Sequence, residues 1–417
     1  MRELHPSSGY FITPAYPLTH KFGTLVNPDL FCIKNLCGQI KIMEYTQTYN
    51  KFKSLYNSDD NEILIPDSKI KIYNTGFSSV LPLNEFMNED DKQISENRTF
   101  SYPVFAPRRT VSKKVIILFH GLNERSWIKY LTWAHSLADL TDSYVVLFPI
   151  SFHINRSPAS WKDPRSMINL LKDRNSSVGE IDNSSFANIA ISNRLTEDPM
   201  RFFKSGYQTV EDIVKLASDI RSGKHAIIPK TSNINIFAYS IGAFLAEIIM
   251  MGNPGNIFSE SKLFMFCGGS VFSNMKGASK FIMDRRAFDR VYNYFLYDFE
   301  ATINGKSQLV DFLCSTQLGM AFRSMIDLAR FKSFRENILK KLRDQINTIT
   351  LSSDAIIPSR GIIDTLGNFS NKQNLKVWDF PFNYSHENPF PVLETPLFKK
   401  VDYWFERLFA EAALFLA

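Results

Sequence analysis

A chain of 417 residues can form one large α/β domain with insertions, or two ordinary domains. Hydrophobic residues make up 44% of it, enough for a buried core, which excludes global disorder. The net charge of +6 comes from Lys and Arg scattered among Asp and Glu, and without an arginine-rich run, zinc spacing or stacking motif it does not point to nucleic-acid binding.

The N-terminus, MRELHPSSGYFITPAYP, carries no apolar stretch or cleavage site of the secretory kind. No run of eighteen apolar residues suggests a membrane span, so a cytoplasmic location is expected. Cys32, Cys37, Cys267 and Cys314 are too few and too irregular for a disulfide framework or a zinc site, and free thiols are expected.

Residues 1–98 read as an N-terminal extension packing on the core, irregular over 1–60. Short strands are expected at Glu62 to Ile65, Lys69 to Tyr73 and Thr99 to Phe105, and NEDDKQISEN (88–97) reads as a solvated loop. Val115 to Phe119 and Tyr144 to Ile150 are apolar, β-branched runs typical of buried parallel strands, with a helical pattern from Trp127 to Leu140 between them. An amphipathic helix is predicted over Val210 to Ile220, then strands at Ile234 to Phe237, Leu263 to Cys267, 348–351 and 375–380, and a closing helix from Pro396 to Phe415. This alternation predicts an α/β fold, a mostly parallel central sheet with helices on both faces. Two insertions interrupt it. Residues 151–206 look polar and loop-like, whereas 274–346 are helical and aromatic and read as a helical cap. The core is thus expected over 99–273 and 347–417.

Within INIFAYSIGAFLAEIIM (234–250), an apolar strand stops at Ala238-Tyr239-Ser240-Ile241-Gly242, and small or apolar residues then resume at helical spacing. A serine at a sharp strand-to-helix corner, flanked by small residues, is the sequence form of a nucleophile elbow; the usual pattern is G-x-S-x-G, with Ala238 here in place of the first glycine. A catalytic serine needs a base, an acid to orient that base, and backbone donors for an oxyanion. With the chain order Ser, Asp or Glu, His, the base is forced, because His386 is the one histidine after Ser240. Asp354 is the preferred acid, since it directly follows a strand in TITLSSDAIIPSRGI, whereas Asp284, Asp289, Asp298, Asp311 and Asp327 fall in the cap. The amide of Ile241 and that of Leu122, in the loop opened by His120-Gly121, are the expected oxyanion donors, with Asn123 as an alternative and His120 as a brace for the loop.

Together HG (120–121), AYSIG (238–242), SSDAIIP (352–358) and SHENPF (385–390) resemble the α/β-hydrolase superfamily, over roughly 100–270 and 347–415. HGLNERSW and FHINRSPASW resemble segments of a bacterial subgroup. The resemblance implies a serine hydrolase with the triad Ser240, Asp354 and His386, acting on a small-molecule ester through an acyl-enzyme. An amidase, a peptidase, an acyltransferase or a non-catalytic binder on the same fold stays open. Asn123, Arg125, Tyr239 and Arg156 lie near the expected opening and are candidate substrate contacts, although an arginine there could equally pin loops together. No metal or cofactor motif is present in the sequence, and it leaves the oligomeric state undetermined.

Overall fold

A computed structural model describes residues 44–80, 87–231, 233–303, 307–367, 374–393 and 397–417. Cys32, Cys37 and the first part of the expected N-terminal extension lie outside the described residues.

Nine strands form one sheet: β1 (Glu62–Leu64), β2 (Ile70–Ser78), β3 (Thr99–Pro107), β4 (Lys114–Phe119), β5 (Tyr144–Leu147), β6 (Asn233–Tyr239), β7 (Leu263–Phe266), β8 (Ile346–Leu351) and β9 (Leu375–Trp378). Their spatial order is β1-β2-β3-β5-β4-β6-β7-β8-β9. The first three are antiparallel, β3 meets β5 antiparallel, and every pairing from β5 to β9 is parallel. β1 and β2 therefore extend the sheet itself.

Alternation along β4 and β6 divides the core in two. Val115, Ile117, Phe119, Ile236 and Ala238 pack with helices Met200–Ser222 and Ile241–Gly252 on one face. Ile116, Leu118, Phe237 and Tyr239 pack with helices Tyr45–Leu55, Ile128–Thr141 and Phe398–Leu416 on the other. The chain runs from β4 to β5 on one side and then returns to β6 on the other. The loops after β4 and β6 thus flank the point where the winding reverses, the usual crevice for ligands in such sheets.

Three expectations need correction. Residues 1–60 are not irregular throughout, because Tyr45–Leu55 is a helix anchored by buried Tyr45 and Phe52. The segment 88–97 is not a solvated loop: it forms helical turns Glu89–Lys92 and Ser95–Arg98, with Asp91 and Asn97 buried. Asp91 is bound by Arg194 and Arg201, and Asn97 by Arg156 and Gln208, so its polarity is satisfied inside the protein. Nor is 151–206 a loop. It holds helices Pro164–Val178 and Ile189–Glu197 and the first turns of Met200–Ser222. Pro164 at the first helical position and the Asp163 side chain, which accepts from the Ser166 amide at 2.8 Å, start the first of these.

Between β7 and β8 the chain is helical over Arg285–Asn293, Gln308–Ser315, Gln317–Ser324 and Lys332–Leu342. Phe288, Phe295, Phe299 and Phe322 there are buried in the same cluster as helix Ile241–Gly252, so most of that aromatic content is ordinary core.

Candidate active site

Ser240 directly follows β6 with φ 59° and ψ −125°, a conformation that L-residues rarely adopt, and helix Ile241–Gly252 begins at the next residue. The strained turn is held by close backbone approach. A Cβ on Gly242 would lie 2.7 Å from the His120 carbonyl oxygen, and one on Gly268 would lie 2.4 Å from the Ala243 Cβ and 2.8 Å from the Ser240 carbonyl oxygen. Gly268, just past β7, was not singled out in the sequence; its place beside a glycine-rich strand end was the available signal. Ala238 is inside β6, opposite Phe119 and Met265, so its methyl group lies in a packed sheet rather than at the bend.

The structure brings Ser240, His386 and Asp354 together. Ser240 Oγ is 2.6 Å from His386 Nε2, and His386 Nδ1 is 2.7 Å from Asp354 Oδ2. All three side chains are buried. The other oxygen, Asp354 Oδ1, accepts from the amides of Ile356 and Ile357, each at 2.9 Å, which fixes the carboxylate plane. A carboxylate on Nδ1 assigns the ring proton there and leaves Nε2 free to accept from the serine hydroxyl. The Tyr239 hydroxyl donates to the His386 carbonyl oxygen, and the two rings stack with centroids 5.6 Å apart.

The loop after β4 reaches the same place. His120 accepts from the Ile150 amide at Nε2 (2.9 Å), so its Nδ1 proton goes to the Gly121 carbonyl at 2.7 Å. Burial pushes His120 well below the usual histidine range, and it braces the loop as a neutral ring. The Gly121 amide donates to the Tyr130 hydroxyl (3.0 Å), which itself donates to Glu124 (2.6 Å). Glu124 also pairs with Lys129, whose ammonium donates to the Glu387 carbonyl at 2.9 Å. One partly buried network thus ties the Gly121 loop to the His386 loop. Tyr130, Lys129 and Glu387 carry no mark in the sequence, because nothing local identifies partners that only the fold assembles. Leu122 and Ile241 line the space beside Ser240, and the Ile241 amide, first in its helix, has no intrahelical acceptor.

A polar cleft opens in front of Ser240, with Gly121, Asn123, Tyr239, His386 and Asn388 among its walls. Asn123 donates to the carbonyls of Ala187 (2.8 Å) and Phe281 (2.6 Å), and Arg125 to those of Trp161 (2.7 Å) and Phe186 (3.1 Å). Both pin loops at the rim. Arg156 is a correction: it is fully buried, ion-paired with Asp212 at 2.8 Å and stacked 4.3 Å from the Phe100 ring centroid, so no substrate reaches it. Tyr239 is likewise committed to His386 through its hydroxyl. Among the described residues, no group of three or more His, Cys, Asp or Glu side chains is placed to hold a metal ion. Among them too, no helix is long and apolar enough to cross a membrane.

Residues 83–417 match the model of a family described as "Family of unknown function (DUF6051)". The chain belongs to that family. No curated protein matches this DUF6051 chain. Among solved structures, it is similar to carboxyl esterase 2 from the mycorrhizal fungus Tuber melanosporum, at 9% identity over 91% of this chain and 100% of the other, with a TM-score of 0.45. It is also similar to an ester hydrolase from the metagenome of Lake Arreo, at 11% identity over 93% and 95% and a TM-score of 0.41. A peroxisomal alpha-beta-hydrolase from Saccharomyces cerevisiae shares 13% identity over 84% and 90%, with a TM-score of 0.38. The strand order and the strained serine turn of this DUF6051 chain give it the α/β-hydrolase fold on their own.

Proposed function

We propose that this protein is a serine hydrolase that cleaves a small-molecule carboxylic ester through an acyl-enzyme. The observation that carries this reading is the unbroken relay from Ser240 Oγ through His386 to Asp354, with contacts of 2.6 and 2.7 Å. Ser240 attacks the acyl carbon as His386 Nε2 takes its proton, and Asp354 stabilises the imidazolium that forms. The amides of Leu122 and Ile241 receive the oxyanion. His386 then gives its proton to the leaving alcohol, the C–O bond breaks, and the acyl group stays on Ser240. Water, activated by the same histidine, releases the acid and restores the serine.

A fluorophosphonate probe is expected to label Ser240, and p-nitrophenyl esters to be hydrolysed. Ser240→Ala should remove labelling and reduce kcat by roughly 10⁴-fold or more. Folded wild-type protein that resists the probe and is as inert as Ser240→Ala would overturn the reading.

A further inference from the structure

Apart from the polar cleft, one apolar space lies beside Ser240 and a second lies behind it. The nearer is narrow, touches Ser240 and is walled by Phe272, Met283, Phe288 and Ile357. The farther is a narrow space between helices Met200–Ser222 and Ile241–Gly252 and the segment Gln308–Ser324, against Phe203, Phe244, Leu245 and Phe322. Leu122, Phe202 and Ile241 line both and form the partition between them.

Proton transfer decides which part of an ester goes where. The leaving oxygen must come within reach of His386 Nε2, because that atom supplies its proton. His386, Ser385 and Asn388 line the polar cleft, and neither apolar space includes them. The alcohol therefore belongs in the polar cleft and the acyl group on the apolar side. Gly206 is a second, independent sign that the apolar side is kept open. It sits inside helix Met200–Ser222, where glycine is a poor helix former, and it lines the farther chamber. A Cβ there would meet only Leu245 Cδ1, at 4.0 Å, so no close packing calls for glycine. What a side chain at 206 would do is fill the chamber.

Resting on the serine hydrolase reading above, we infer that the two chambers form an acyl-chain pocket: the substrate is an ester of a medium-length, unbranched fatty acid with a polar alcohol, and Gly206 sets the chain length accepted. Acyl carbons near the carbonyl occupy the nearer chamber, and the tail passes the Phe202 partition into the farther one.

The test is kcat/KM along p-nitrophenyl acetate, butyrate, hexanoate and octanoate, for wild type and Gly206→Leu. Wild type should gain about fourfold per methylene buried. Gly206→Leu should lower the octanoate-to-acetate ratio by roughly tenfold or more, since two or more methylenes lose their place. Calorimetric binding of octanoate reads the pocket without catalysis: Ser240→Ala should bind it, and the double variant Ser240→Ala, Gly206→Leu should bind it at least about tenfold more weakly. A flat chain-length series, or a ratio that Gly206→Leu leaves unchanged while the protein melts as wild type, would overturn the pocket and leave the hydrolase reading standing. Octanoate binding without any ester hydrolysis or probe labelling would instead sink the hydrolase reading, and with it the substrate assignment.

Discussion

The Tyr239 hydroxyl donates to the carbonyl oxygen of His386 while the two rings stack at 5.6 Å, so the residue before the elbow serine holds the loop that carries the proposed base. Tyr239 is fully buried, and burial pushes its phenol well above the usual tyrosine range, which keeps it a donor at all working pH. Tyr239→Phe leaves a buried carbonyl unpaired, a cost of about 1–3 kcal/mol. Because it frees the histidine rather than a substrate contact, kcat should fall roughly tenfold with KM little changed. Steady-state kinetics and a melting curve check both parts. A large rise in KM at constant kcat would mean that Tyr239 contacts substrate after all.

Ser240 stores backbone strain, which its proposed role as nucleophile explains. At φ 59° and ψ −125° a Cβ is unfavourable, by an amount on the order of 1 kcal/mol. Ser240→Ala keeps that strain, whereas Ser240→Gly relieves it. Both variants should be inactive, with Ser240→Gly about 1 kcal/mol more stable than Ser240→Ala in urea unfolding. Equal stability would show that the turn carries no strain.

These relationships also show what was legible in the sequence. The positions of Ser240, Asp354 and His386, for which catalytic roles are proposed, follow from strand ends and from chain order, which are local and one-dimensional, and they meet in space at 2.6 and 2.7 Å. The polar segments 88–97 and 151–206 are partly buried helices, because polarity in a sequence does not by itself mean exposure. Asp91 is buried only because Arg194 and Arg201, more than a hundred residues later, enclose it; Arg174 is buried because Asp284 does the same. Partners that distant leave no periodic trace. The bond from Lys129 to the Glu387 carbonyl, far later in the chain, leaves no trace for the same reason.

Arg156 is the clearest such case. Its guanidinium meets Asp212 at 2.8 Å with both side chains fully buried, and also donates to Asn97 and to the Pro149 carbonyl. Its partner would be left charged and desolvated by Arg156→Met, so a loss of about 3–5 kcal/mol is expected. The double variant Arg156→Met, Asp212→Asn should recover part of it. KM for any ester should not change in variant protein that remains folded, because the pair lies away from the cleft. A selective KM increase would restore Arg156 as a substrate contact.

Glu247 gives stability a pH dependence that can be signed. It lies fully buried in helix Ile241–Gly252, and neither carboxylate oxygen has a hydrogen-bond partner among the described residues. Burial pushes its carboxyl from 4.5 up to about 8, and the charge of Arg335 offsets only part of that. Between those two values the folded protein holds a proton that the unfolded chain releases. The stabilisation from this group is therefore complete below pH 4.5, declines as pH rises towards about 8, and stays lost above it. The decline should amount to a few kcal/mol, because holding the proton one pH unit beyond its ordinary range corresponds to about 1.4 kcal/mol. Glu247→Gln, neutral at every pH, should flatten the fall in urea stability measured from about pH 5 to about pH 8.5. An unchanged slope in that variant would place the titrating group elsewhere.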